Sequence, residues 1–309
     1  MKATARYTTV ALILFALVAI VNGNIAVAAG NSKVRVMTQN QYLGADLTPI
    51  IAAGDPLEFN AAVIAALGEV AANNYPERVQ SLAATIAERS PHLVGLQEMF
   101  AFGCTPVSFT IPDPCGSFGP AFNDHAAATV AALQGMGADY TAVATVKNLS
   151  LDFVFPGPTS VFNVPGLPVF LDADLLPDMF VTVVDRDVIL ARGDVAATPV
   201  SFACLKPSVD GCNYVSVAET SVGGETIFIE RGFVAVDAMI KGDAFRFVNT
   251  HLEVRFPDPS DPLSMGLQAL QSTELLMALT ANPEPAGSRV VLVGDFNSCL
   301  LYTSPSPRD

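Results

Sequence analysis

The sequence runs to 309 residues, enough for one large domain with a substantial apolar core. It carries 16 Lys and Arg against 30 Asp and Glu, a formal charge of −14. That balance excludes long-range attraction to nucleic acid or anionic membrane and leaves only a local basic groove open to them.

Lys2 and Arg6 precede the uncharged apolar run Val10–Val21, and small residues follow in "AVAAG". This three-part form predicts a secretory signal over 1–29, cleaved near Ala28 or Ala29, and a secreted or periplasmic chain from residue 30. The run is shorter than the roughly 20 residues of a membrane span. Five cysteines in an exported chain invite pairing: Cys104 and Cys115 bracket "CTPVSFTIPDPC", and Cys204 and Cys212 bracket "CLKPSVDGC". Two short-range disulfides are expected. Zinc is the weaker alternative, because no histidine stands at ligand spacing from either pair.

In chain order, "KVRVMTQN" alternates as a half-buried strand and ends at Asn40. Helices are expected from Pro56 to about Asn74 and over "YPERVQSLAATIAER", which stops before Pro91. "HLVGLQE" reads as a short apolar strand ending at Glu98, and 99–124 as a loop. "HAAATVAALQGMG" predicts a helix and "DYTAVATVK" the strand after it. Residues 149–180 are rich in Phe, Leu and Pro without a steady period. They read as packing over the core, with an acyl-chain cover as the alternative. "VTVVDRDVILAR" returns to strand, with Asp185 and Asp187 read as a solvated edge or local ion pair. "GFVAVDAMIKGDAFRFVNTHLE" is a hairpin, Leu263–Ala281 a helix, and "SRVVLVGDFN" the last strand. His92 and His125 have no acidic partner at ligand spacing and read as surface or capping residues. Asn148 opens the sequon "NLS". No repeat or linker divides the chain, so one domain is expected over 30–298.

Polar side chains now stand at four strand ends: Asn40, Glu98, Asn249 to His251, and Asp295 with Asn297. In an α/β sandwich such ends converge on one rim. Carboxylate and amide oxygens suit Mg²⁺ or Mn²⁺. Amides such as Asn249 and Asn297, and the His251 imidazole, can hold phosphate oxygens.

"TQN", "GLQE", "FVNTHLE" and "GDFN", each closing a strand and in this order, resemble the endonuclease/exonuclease/phosphatase superfamily over about Lys33–Ser298. "DRDVILAR" and "RGFVAVD" are similar to strands of the same superfamily, and "YLGADL" and "YPERV" resemble a bacterial branch of it. The resemblance implies an α/β (α+β) fold, a four-layer α/β sandwich of two mixed β-sheets face to face with helices outside. It implies Glu98 as the main Mg²⁺ ligand with Asn40 supporting it, and His251 contacting the scissile phosphate. Asp295 would orient the attacking water and Asn297 bind a phosphate oxygen. Family members continue to a further Asp-His pair, whereas this chain has only His92, His125 and His251. With "CLLYTSPSPRD" at 299–309 read as a non-native tail holding the leftover Cys299, the domain is expected to lack its last strands and the copy to be inactive.

The function expected from this reading is a secreted, Mg²⁺-dependent phosphoester hydrolase, acting as a monomer with no protein partner evident. Its substrate would be nucleic acid, phospholipid or sugar phosphate, and the lack of clustered Lys and Arg favours lipid. A non-catalytic exported binding protein that keeps the fold is the alternative. Retention of five polar strand-end residues argues against it.

Overall fold

The computed structural model describes residues 33–222, 225–254 and 262–298. The predicted signal and the terminal segment 299–309 lie outside them. The first, six-stranded sheet comprises β1 (Val36–Asn40), β2 (Leu93–Gln97), β3 (Ala101–Pro106), β4 (Tyr140–Leu151), β5 (Leu167–Val169) and β6 (Met179–Arg192). β6 is its spine: β2 and β3 pair along one edge and β4 and β5 along the other, all antiparallel, while β1 runs parallel to β2.

The second, six-stranded sheet holds β7 (Ala196–Pro199), β8 (Pro207–Ser208) and β9 (Gly211–Asn213). After the separate ribbon of β10 (Ala218–Val222) and β11 (Glu225–Ile229), it is completed by β12 (Gly232–Ile240), β13 (Asp243–His251) and β14 (Arg289–Asp295). β13 and β14 are parallel, and the other pairs among the described residues of this sheet are antiparallel. β12 and β13 form the hairpin the alternation predicts. Lys241 and Gly242 turn it with φ of 53° and 85°, the left-handed pair that a two-residue turn requires.

Period-two alternation gives each strand two faces, and both sheets bury both of theirs. Leu93, Val146 and Ile189 of the first sheet meet Val234, Val236 and Phe247 of the second in one core. On the opposite face of the first sheet, Val94, Leu96, Val188 and Leu190 pack under α3 (Tyr75–Arg89) and α4 (His125–Gly135). α3 supplies Val79, Leu82, Ala83 and Ile86, spaced three and four apart on one side. α2 (Pro56–Asn73), capped by Asp55 on the amides of Leu57 and Glu58, covers Phe100, Phe102 and Val181 beside the short α1 (Thr48–Ala52). Outside the second sheet, Leu275 of α5 (Pro262–Ala281) packs with Phe233, Ala235 and Val248. The architecture is therefore a mixed α/β sandwich with two large sheets between helices. Disulfides join Cys104 to Cys115 and Cys204 to Cys212, as expected.

The structure corrects several local expectations. Segment 99–124 is not all loop, since β3 and a 3₁₀ turn at Gly116–Ala121 lie within it. Strands β7 to β11 have no expected counterpart; most are too short to show a period. Asn148 is 1% exposed on β4, so the sequon is out of reach of modification in the folded chain. His92 and His125 are buried, not on the surface. His92 Nδ1 accepts the Arg35 amide at 3.1 Å and ties β1 to the start of β2.

His125 stacks on Tyr75 at 3.5 Å between ring centroids and is fully buried. Burial holds its pKa down at about 3. The imidazole is thus neutral in the folded chain and gains a proton near pH 6.5 once unfolded. Its contribution is complete above about pH 6.5 and is lost as pH falls toward about 3. Acidification to pH 4 should therefore destabilise the chain by on the order of a few kcal/mol through this residue alone. Denaturant unfolding at pH 7 and pH 4 should show that decrement reduced in His125→Phe, which keeps the stack. An equal acid loss in both proteins would remove His125 as its source.

Candidate active site

The outer strands β1 and β14 run side by side where the two sheets meet, and this brings Asn40 to Asp295. Asn40 Nδ2 donates to Glu98 Oε1 at 2.8 Å and to Asp295 Oδ2 at 3.0 Å. One amide therefore holds both carboxylates on a common rim, although they are far apart in sequence and sit on different sheets. Asn40 Oδ1 accepts the Tyr42 amide at 2.7 Å, which folds the following chain back over the site. The Leu43 amide then donates to Glu98 Oε2 at 2.9 Å.

Glu98, Tyr42 and Asn297 adopt φ of 56°, 53° and 47°. This left-handed backbone is costly for residues with side chains and tends to persist where surrounding contacts impose it. At Glu98 it takes the chain out of the β2 alignment, and the carboxylate meets the Asn40 amide.

His251 lies opposite Asp295 in the β13–β14 register. Its Nε2 is 3.9 Å from Asp295 Oδ2, too long for a direct bond and suited to one intervening oxygen. Asn297 closes this side: its backbone N–H donates to Asp295 Oδ1 at 3.0 Å. Its side-chain amide donates to Leu252 O at 2.8 Å and lies 3.2 Å from His251 Nε2. Asn249 shares the His251 face but is fully buried between the sheets. It accepts from Gln97 Nε2 at 2.6 Å and donates to the carbonyls of Leu96 and Val188 at 3.0 and 3.3 Å. The close approach depends on Gly95, where a Cβ would stand 2.7 Å from Asn249 Oδ1. Asn40, Glu98, His251, Asp295 and Asn297 thus gather at one rim, with Asn249 beneath them as an inter-sheet tie.

Behind the rim lies a charged cluster that the sequence did not reveal. Asp185 and Asp187, expected as a solvated edge, are 2% and 0% exposed. They share the β6 face of Ile189 and point between the sheets, whereas Arg186 points the other way to Asp124 at 2.7 Å. Arg231, just before β12, reaches Asp185 Oδ2 at 3.2 Å, Glu253 Oε2 at 3.6 Å and His251 Nδ1 at 3.4 Å. Burial pushes the Asp185 pKa up to about 6, against the pull of Arg231. Burial, reinforced by Asp185, raises that of Asp187 well above the usual carboxylate range. Burial and the nearby Arg231 guanidinium keep His251 neutral. The available signals were an i, i+2 pair of aspartates in a strand and an arginine opening another, and neither reports burial.

The donors at the rim fit a hard divalent cation. Glu98 and Asp295 offer carboxylate oxygens, with the Asn40 amide holding them together. Arg231 faces Asp185, Asp187, Glu253 and Glu98, so carboxylates outnumber cations here, and a divalent ion would offset that surplus. Among the described residues no three His, Cys, Asp or Glu side chains form a ready-made cage. Mg²⁺ commonly binds through one or two carboxylates, with water and substrate phosphate completing its shell.

No family model and no curated protein matches the sequence. Solved structures are similar to it at low identity. An endonuclease/exonuclease/phosphatase family protein from Leptotrichia buccalis is 14% identical at a TM-score of 0.41, covering 88% of this chain and 70% of its own. A humanized TDP2 from D. rerio is 14% identical at 0.36, over 85% of this chain, which spans 62% of that protein. An endonuclease/exonuclease/phosphatase from Beutenbergia cavernae is 16% identical at 0.36, over 89% of this chain, which spans 49% of that protein.

Proposed function

We propose that the rim hydrolyses phosphoesters with a divalent cation, Mg²⁺ or Mn²⁺, held chiefly by Glu98. The observation that carries this reading is the shared Asn40 amide, which places the Glu98 and Asp295 carboxylates around one small volume beside His251. When bound, the cation would supply charge to a phosphate oxygen and stabilise the transition state. The remaining work falls to the side chains. Asp295 Oδ2 accepts a proton of the attacking water and aims it at phosphorus. One P–O bond forms as the bond to the leaving alkoxide breaks, and that oxygen takes a proton from solvent. His251 and the Asn297 amide contact a non-bridging phosphate oxygen, while Arg231 provides a fixed positive charge behind them. Asn249 acts on substrate only through the β13 position it fixes.

The acidic overall charge and the two disulfides favour a lipid or small phosphodiester met outside the reducing cytosol. The test is release of p-nitrophenol from bis-p-nitrophenyl phosphate with Mg²⁺ or Mn²⁺, together with calorimetric titration of Mn²⁺. Turnover that requires the metal and is lost in Asp295→Asn would support this reading, whereas Mn²⁺ binding without turnover would fit the inactivity anticipated from the lack of a further Asp-His pair. A folded chain that neither binds Mn²⁺ nor turns over the ester would instead support the binding-protein reading.

A further inference from the structure

An apolar cavity of about 150 Å³ lies between α1, α2, the β10–β11 ribbon and the first sheet. Every lining residue is apolar; Leu43, Val63, Ala66, Phe100, Val183 and Ile227 represent the elements that enclose it. Interiors normally leave few voids larger than a water molecule, so a space of this size within the fold calls for an occupant. A cavity of roughly this volume lined by Leu, Ile and Phe stays dry and accepts a guest about the size of benzene.

Three connections join the cavity to the proposed active site. Leu43 lines the cavity, and its amide donates to Glu98 Oε2 at 2.9 Å. Phe100 lines it two residues after Glu98. On β6, Val181 and Val183 pack with α2 and with Phe102, the register partner of Val183. Val183 is a wall of the cavity, and Asp185 belongs to the charged cluster. One strand repeat of roughly 6.6 Å therefore separates apolar wall from polar site. Ile51, 39% exposed, stands where the cavity meets solvent.

We infer that this cavity receives the aliphatic chain of the substrate, so that the site acts on phosphoesters bearing an alkyl or acyl group. The inference rests on the reading of the rim as a phosphoester hydrolase. Sugars and nucleobases would bring polar groups into a cavity with no partner for them, a desolvation cost that an alkyl chain avoids. The formal charge of −14 likewise disfavours a polyanionic substrate.

The test uses the whole chain with Mg²⁺ and the methyl, butyl, hexyl and octyl esters of p-nitrophenyl phosphate as monomers. The octyl ester is also presented in phosphatidylcholine vesicles. Calorimetric titration with hexanol reads the cavity without turnover. kcat/KM should rise about fourfold per methylene, the factor equivalent to about 0.8 kcal/mol, and level off near about six carbons. Hexanol should bind the wild type. Ala66→Phe, with folding checked by circular dichroism, should lose that binding and bring the hexyl-to-methyl ratio toward one. Turnover of the octyl monomer would make a dispersed amphiphile sufficient, whereas turnover only in vesicles would assign the chain to a lipid surface. A flat series overturns the inference, whether or not hexanol binds, and leaves the hydrolase reading standing. Hexanol binding with no turnover of any ester overturns the hydrolase reading and retains the cavity as an alkyl site.

Discussion

Glu98→Gln is expected to weaken Mn²⁺ binding at least about tenfold and to reduce phosphodiester turnover by roughly 10²–10³-fold. The substitution keeps the volume of the side chain and removes its charge. It also replaces one acceptor oxygen with a donor. In the structure both Glu98 oxygens accept, one from Asn40 Nδ2 and the other from the Leu43 amide. A glutamine satisfies only one of these donors, so the loop at Tyr42 and Leu43 is released from the rim as the cation loses its main ligand. Glu98 is only partly buried, and the fold should survive with a loss of about 1 kcal/mol or less. Calorimetry with Mn²⁺ separates the metal effect from catalysis. Unchanged Mn²⁺ affinity would remove Glu98 from the metal site even if turnover fell.

Arg231→Met should have the larger effect on stability, a loss of about 3–5 kcal/mol at neutral pH. The arginine side chain is 14% exposed and is the cation facing Asp185 and Glu253, whose side chains are each 2% exposed. Methionine fills much of the space but leaves carboxylates buried without a counter-charge. The pH dependence follows from the raised carboxyl pKa. Asp185 already stands at about 6 with Arg231 present, and removing the cation that lowers it moves it higher. A carboxyl whose folded pKa exceeds its unfolded value near 3.9 loses stability as pH rises through the folded pKa. Arg231→Met should therefore recover part of its deficit relative to wild type between pH 7.5 and pH 5.5. Denaturant unfolding of both proteins at the two pH values measures this. A deficit independent of pH would assign Arg231 to packing through its aliphatic stem.

Much of the sandwich was legible in local pattern. The alternation of "VTVVDRDVILAR" and of the β12–β13 hairpin, the three-and-four spacing in α3, and the prolines at helix starts each depend on near neighbours in sequence. Polar groups at strand ends were legible for the same reason, and Asn40, Glu98, His251, Asp295 and Asn297 do meet at one rim. The short strands between Ala196 and Ile229 were not legible, because two to five residues carry too little period and their pairing is set by β12 and by one another. Nor were the burial of His125 under Tyr75 and the tie made by Asn249 through Gly95.

By itself the sequence determined the order of the elements, the two disulfide pairs and which chemical groups stand at the strand ends, since each is encoded within a few residues. Only the tertiary structure decided which of two faces of β6 lies inside the sandwich. That choice turns Asp185 and Asp187 from solvated edge residues into buried acids around Arg231, while α2 and the β10–β11 ribbon close an apolar cavity over Val183. Alternation states that side chains share a face; what covers the face depends on a second sheet and a helix from distant parts of the chain.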